Sequence, residues 1–255
     1  MKKRLSVIIP LCNAETYIAE TLNSILIQIN QYTDEVIIVD DCSTDRSIEI
    51  VNRFKNLYNC IVFFSTNSRS GGPAVPRNLA IRKSRGIYIA FCDSDDIWHP
   101  NKIAIQIPFL KKFDLVCSDS ITFLHNIPNI KIRKCVDFIE LRHINFYVGN
   151  PISNSSVICR SEIIKKFYFN ESKELIAVED FDLWIKILLS NADMVKITFP
   201  LLFYRRSANQ ISRNKFKMAK KNLLIYIKNF GRFKGFFFHI FYISFSLLKL
   251  INRKF

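Results

Sequence analysis

Tyr88-Ile89-Ala90-Phe91-Cys92-Asp93-Ser94-Asp95-Asp96 decides how the chain is read. Residues suited to a buried strand run straight into three carboxylates within four positions, and such charges repel one another unless a cation or hydrogen-bond donors compensate them. Hard divalent ions such as Mg²⁺ or Mn²⁺ favour these oxygen ligands and bridge them to phosphates. A solvated acidic turn capping the next helix accounts for the same residues, so the cluster alone leaves both readings open.

Upstream, residues 5–9, 35–40 and 61–65 are further β-branched or aromatic runs, and helical patterns over 16–28, 45–55 and 75–85 separate the four strands. This alternation implies right-handed βαβ units and an α/β fold with a mainly parallel central sheet flanked by helices. In the first helix Ile18, Leu22, Ile25 and Ile29 share one face, and Ser43 stands before the second as an N-cap. Downstream, residues 126–154 show weak periodicity, whereas 180–189 reads as a helix with Phe181, Trp184, Ile185 and Leu188 on one stripe.

Ligands of open α/β sheets collect beyond the carboxyl ends of the strands, and those ends are polar here: Asn13, Asp40, Asp41, Asn67 and the acidic cluster. Asp40-Asp41 serves either as a turn and helix cap or as an acceptor for a base N–H or a ribose hydroxyl. Gly71-Gly72-Pro73 followed by Arg77-Asn78 is a turn, or a flexible backbone with a guanidinium at a strand–helix junction suited to phosphate or a planar base. Glu179-Asp180 complements a helix dipole, or supplies the general base that transfer to a hydroxyl requires.

Taken together, Val7-Ile8-Ile9-Pro10 with Asn13, Val39-Asp40-Asp41 with Ser43-Thr44-Asp45, Gly72-Pro73 with Arg77-Asn78, Asp93-Ser94-Asp95-Asp96, and Glu179-Asp180 with Trp184 resemble the family-2 glycosyltransferases in order and spacing. The resemblance implies a GT-A fold over residues 1–210 and a nucleotide-diphosphate-sugar donor, foremost a UDP-sugar. It also implies Mg²⁺ or Mn²⁺, and inverting transfer of the sugar to a hydroxyl of a glycan or lipid-linked acceptor in bacterial surface-polysaccharide synthesis. Carried over position by position, it implies that the Pro10 backbone, Asp41, Asn67 and Arg77 hold the nucleoside, with Ser94 in the same donor site. Asp93 would contact ribose or metal, and Asp95 would be the principal metal ligand of an Asp-x-Asp motif. Asp180 would take the acceptor proton while Glu179 orients the site, and Trp184 would pack or shape the acceptor pocket. Three positions depart from the family pattern: Cys12 replaces a frequent aromatic residue, Pro76 a small one, and Ser207 a frequent His.

The formal charge of +15 is local: 14 of the 37 basic residues and none of the 22 acidic ones fall between residues 194 and 255. Residues 215–234 mix basic with apolar positions, and 236–248 carry no charge but are too few to span the roughly 20-residue hydrocarbon core. The extension over 211–255 therefore reads as an amphipathic anchor on an anionic membrane surface, against the alternative of helices packed on the domain or in a homodimer. Seven cysteines without a C-x-x-C pair, and an amino terminus without a signal-peptide core, point to the cytoplasm and the inner membrane face. Two other classes use parts of the pattern: a nucleotidyltransferase or nucleotide-binding scaffold with the same acidic cluster, and a basic nucleic-acid-binding protein. The acidic strand ends repel a polyanion, which argues against the second.

Overall fold

The structure, a computed structural model, describes residues 3–130, 136–206 and 215–251. Its first half is built on four parallel strands: β1 (Lys3–Leu11) lies between β2 (Asp34–Asp40) and β4 (Gly86–Phe91), and β3 (Ile61–Ser65) flanks β2. Successive side chains alternate across a strand, and here both sides are covered. Val7 and Ile9 pack with α1 (Ile18–Leu26) and α2 (Ser47–Leu57), while Ile8 enters a second core with α3 (Ala74–Lys83). Burial on both faces is why β1 and β2 read as unbroken apolar runs. Ile18, Leu22 and Ile25 of α1 are fully buried, as their shared face requires.

The second half continues the sheet through β8 (Ile158–Arg160), β6 (Leu115–Phe123) and β9 (Met194–Arg205), ending on β5 (Ile97–Trp98), while β7 (Phe138–Glu140) pairs off the path with β9. The long ladders, including β6 against β9, are parallel; β5, β7 and β8 add short antiparallel pairings. The expected α/β sheet flanked by helices is thus present, and its short strands are the parts too brief to carry a sequence period. Between strands lie α4 (Lys102–Gln106), α5 (His143–Tyr147), α6 (Ser161–Phe167) and α7 (Glu179–Leu189). The expected stripe of α7 is buried, and so are Leu183 and Ile187; α8 (Lys215–Phe230) packs on this helix through Phe181 and Asp182.

The basic C-terminal segment consists of α8 and α9 (Arg232–Ile251), packed on each other and on the domain. A Cβ on Gly235 would come within 2.6 Å of the Ile227 amide nitrogen, so the glycine permits the close helix crossing. Ile225 and Tyr226 belong to the main core, the Tyr226 hydroxyl donates to the Phe146 carbonyl at 2.8 Å, and Asn229 Nδ2 donates to Asp182 Oδ1 at 3.1 Å. The inward sides of these helices therefore follow the packed-helix alternative, and α8 is continuous with the core rather than an appendage. The expected boundary at residue 210, and Ser207, fall outside the described residues.

Truncating Tyr226 removes a fully buried ring, so Tyr226→Ala is expected to cost about 3–5 kcal/mol of unfolding free energy, and Tyr226→Phe about 1 kcal/mol for the lost hydrogen bond. Urea unfolding measures both, and a Tyr226→Ala protein as stable as the parent would show that α8 is not seated in the core.

Candidate functional site

Parallel pairing brings the carboxyl ends of β1, β2 and β4 to one edge of the sheet, and the loops beyond β1 and β2 are laced together. Asn13 Oδ1 accepts from the Thr44 N–H at 2.8 Å, Ser43 Oγ accepts from the Asn13 N–H at 2.9 Å, and Asp45 Oδ2 accepts from the Glu15 N–H at 2.9 Å. Ser43 is thereby engaged with the first loop and is not the N-cap of α2. The N-cap position falls to Arg46, which gives no side-chain cap, and Asp45 Oδ1 accepts from the first helical amide, the Ser47 N–H, at 2.9 Å. Cys12 sits against Arg69, whose Nη2 lies 3.3 Å from the sulfur.

Asp41 is buried and accepts from the Ser70 N–H and hydroxyl, each at 2.9 Å, and from the Thr66 hydroxyl at 3.0 Å. This expected nucleoside residue thus organises the loop of residues 66–72 on which Asn67, exposed, is carried. Pro10 is buried within β1, one residue before its end. Pro76 lies in the first turn of α3, where its missing N–H costs no helical hydrogen bond.

Arg77, one turn into α3, is only 3% exposed. Its Nη2 donates to Asp93 Oδ1 at 2.6 Å, its Nη1 donates to Glu179 Oε1 at 2.8 Å, and its guanidinium lies 5.1 Å from the Phe169 ring centre. Burial works against the charge, but Asp93 and Glu179 more than offset it and raise the pKa. Both terminal nitrogens are engaged by carboxylates, and the side chain ties the acidic end of β4 to the start of α7.

Asp93, half-buried, also receives Asn154 Nδ2 at 3.4 Å, and its own N–H donates to Ser155 Oγ at 2.9 Å. The turn carrying Asn154 and Ser155 is propped from below. Trp98 Nε1 donates to the Ser155 carbonyl at 3.0 Å, and the fully buried Lys102 donates to the Ser156 carbonyl at 2.8 Å. The Ser94 carbonyl accepts from Thr21 Oγ1 at 3.0 Å, joining this loop to α1. Asp96 is buried, and its Oδ1 accepts from the Arg205 N–H at 3.0 Å. Arg205 further holds the Asp95 carbonyl through Nε at 2.9 Å and Glu20 through Nη2 at 2.5 Å, between the rings of Tyr17 and Phe123.

Asp95 is left with no side-chain hydrogen bond to its carboxylate among the described residues. Burial, then the charge of Asp93, pushes its pKa up to about 6. Among the described residues no three His, Cys, Asp or Glu side chains gather as a metal cage. The donor set nevertheless fits a hard cation that shares its ligands with a diphosphate: Asp93 lies close enough for its charge to raise the pKa of Asp95, which Arg205 only partly offsets.

Asp180 opens α7 half-buried, its Oδ2 accepting from Asn150 Nδ2 at 3.1 Å and its Oδ1 from the Phe181 N–H at 2.7 Å. Burial, followed by the charge of Glu179, raises its pKa to about 7 against the opposing pull of Arg77. Trp184 is fully buried between Phe91 and Phe169, so it packs the core and lines no acceptor pocket. Asn150, Asn154, Ser155, Lys102 and Arg205 are the supporting residues that the motif reading passes over. Asn150 and Asn154 lie in the stretch of weak periodicity, and Arg205 lies two residues before Ser207.

The family model for glycosyl transferase family 2 matches residues 6–166. The chain is 30% identical over 229 residues to the putative teichuronic acid biosynthesis glycosyltransferase TuaG of Bacillus subtilis, covering 88% of each. It is 32% identical over 224 residues to the UDP-Glc:alpha-D-GlcNAc-diphosphoundecaprenol beta-1,3-glucosyltransferase WfgD of Escherichia coli, covering 85% of this chain and 83% of that one. The crystal structure of Staphylococcus aureus TarS 1–349 in complex with UDP-GlcNAc superposes with a TM-score of 0.71 at 26% identity, over 88% of this chain and 66% of that one. The chain thus spans just under two thirds of that solved protein.

Arg77→Ala leaves Asp93 and Glu179 partly or wholly buried without their shared cation, and a loss of about 3–5 kcal/mol in stability is expected. Chemical unfolding near neutral pH tests it, and a change below about 1 kcal/mol would show that the bridge carries no structural load.

Proposed function

Because the chain belongs to glycosyl transferase family 2, we propose that it moves a sugar from a nucleotide-diphosphate-sugar, a UDP-sugar foremost, to a hydroxyl of a glycan or lipid-linked acceptor with inversion. The setting is bacterial surface-polysaccharide synthesis at the cytoplasmic face of the membrane. The observation that carries this reading is Asp180: a carboxylate held by Asn150, with its pKa at about 7, linked through Glu179 and Arg77 to the acidic end of β4. A general base works best when its pKa lies near the working pH. The UDP-glucose donor and diphosphoundecaprenol-linked acceptor for which WfgD is named support the choice of substrates, as does the UDP-GlcNAc bound by TarS.

In this mechanism the nucleoside rests on the loop of residues 66–72 that Asp41 braces, beside Pro10 and Asn67. The acceptor oxygen forms its bond to the anomeric carbon as the bond from that carbon to the diphosphate oxygen breaks. Asp180 takes the acceptor proton in the same displacement, which inverts the carbon. Glu179, pinned by Arg77, keeps negative charge beside Asp180 and so raises its basicity. Asp95, with Asp93, would hold Mg²⁺ or Mn²⁺, which when bound neutralises charge on the departing nucleoside diphosphate. Ser94 fixes the intervening backbone through Thr21.

Asp95→Ala is expected to remove the Mn²⁺-dependent part of nucleoside-diphosphate affinity. Titration calorimetry of UDP with and without Mn²⁺ measures it, and an undiminished metal effect would exclude Asp95 as ligand. Asp180→Asn keeps the shape but cannot take a proton, so kcat is expected to fall roughly 10²- to 10⁴-fold with donor affinity retained. The sign of the pH dependence follows from the raised pKa: below about 7 Asp180 is protonated and inactive as a base, so wild-type kcat rises through that pH and levels off above it. Near-parental turnover in Asp180→Asn would exclude this base.

A further inference from the structure

The outward side of α9 is apolar where a solvent-facing helix is polar. Phe233, Phe236, Phe237, Ile240, Phe241 and Ile243 are all exposed, Phe233 by 95% and Phe236 by 58%. The first five follow i, i+3, i+4, i+7 and i+8, and Ile243 at i+10 borders the same continuous arc of the helix. The opposite arc is engaged: Phe238 stacks on Tyr147 with ring centres 3.9 Å apart, and Gly235 and His239 are buried. Arg232 and Lys234 are exposed beside the apolar arc, and no acidic residue occurs between residues 194 and 255. No helix among the described residues is long and apolar enough to cross a membrane.

We propose that this face of α9 is a bilayer-docking surface, its phenylalanine and isoleucine side chains entering the acyl boundary while Arg232 and Lys234 meet anionic headgroups. Charge selects this occupant over a second copy of the chain, because two such faces brought together would set like charges against one another. A helix lying in the interface buries its apolar arc and keeps its basic rim at the headgroups. Packing carries the consequence to the active site. Tyr242 of α9 lies against Gly149, where a Cβ would come within 3.3 Å of its ring, and Gly149 has a φ of +120° that side chains rarely adopt. The next residue, Asn150, holds Asp180. The docked face is thus two contacts from the proposed base. This rests on the functional reading above and deepens it by naming how the enzyme meets an acceptor held in a lipid surface.

Flotation of the full chain with phosphatidylcholine vesicles, with and without phosphatidylglycerol, tests the surface. The parent is expected to float with the anionic vesicles. A Phe236→Ser, Phe237→Ser, Phe241→Ser variant alters only exposed side chains and is expected to lose binding by at least about tenfold, while keeping Mn²⁺-dependent UDP binding. Arg232→Gln with Lys234→Gln is expected to weaken anionic binding about fivefold per charge and leave neutral vesicles unaffected. Undiminished flotation of the triple variant overturns the proposal. So does a parent dimer that the triple variant turns into monomer without any vesicle binding by the parent. Vesicle binding by a parent that binds no UDP would leave the docking face standing and reject the functional reading instead.

Discussion

The site depends on one guanidinium. Arg77 is buried between two carboxylates that belong to different parts of the chain: Asp93 follows β4 in the nucleotide half, and Glu179 begins α7 more than eighty residues later. Each carboxylate alone would be costly to bury, and the arginine alone more so, but the three together form a charge-assisted network whose geometry is planar and directional. Phe169 closes one face of the guanidinium and also packs on Trp184, so the network is built into the core. Through it the residues proposed to bind the donor and the residue proposed to activate the acceptor are held in one frame.

That frame accounts for how far the sequence could be read. β1 and β2 announce themselves because each is buried on both faces and is followed by polar residues, and β3, half-buried at the sheet edge, has the bounds its composition suggests. Helix ends were less legible: Ser43 is a good cap by type, yet it is drawn away to Asn13, and α2 starts after Arg46, which has no side-chain cap. β5 and β8 leave no period because they have two and three residues. Their existence is decided by the neighbours they pair with, which only the folded chain supplies.

At the site, residue types were easier to recognise than the tasks they perform. Arg77 was legible as a cation near the nucleotide loop, but its two carboxylate partners are distant in sequence, so its bridging part was not. Trp184 was offered packing or a pocket, and the rings on either side of it settle that as packing. Asn150 and the turn at 154–156 lie in or beside the stretch with the least periodicity, and what gives them meaning is the acidic residue each one holds. The basic tail has two sides of different character. Its inner side completes the core, and its outer side remains apolar.

The account stands on a single-displacement transfer that releases a nucleoside diphosphate, and product analysis addresses it most directly. Purified protein incubated with a panel of nucleotide-diphosphate-sugars, Mn²⁺ and an acceptor extract is followed by phosphorus and proton nuclear magnetic resonance. The account predicts release of the nucleoside diphosphate and a glycosidic product whose anomeric configuration is opposite to that of the donor. Release of pyrophosphate, or retention of the donor configuration, would contradict it.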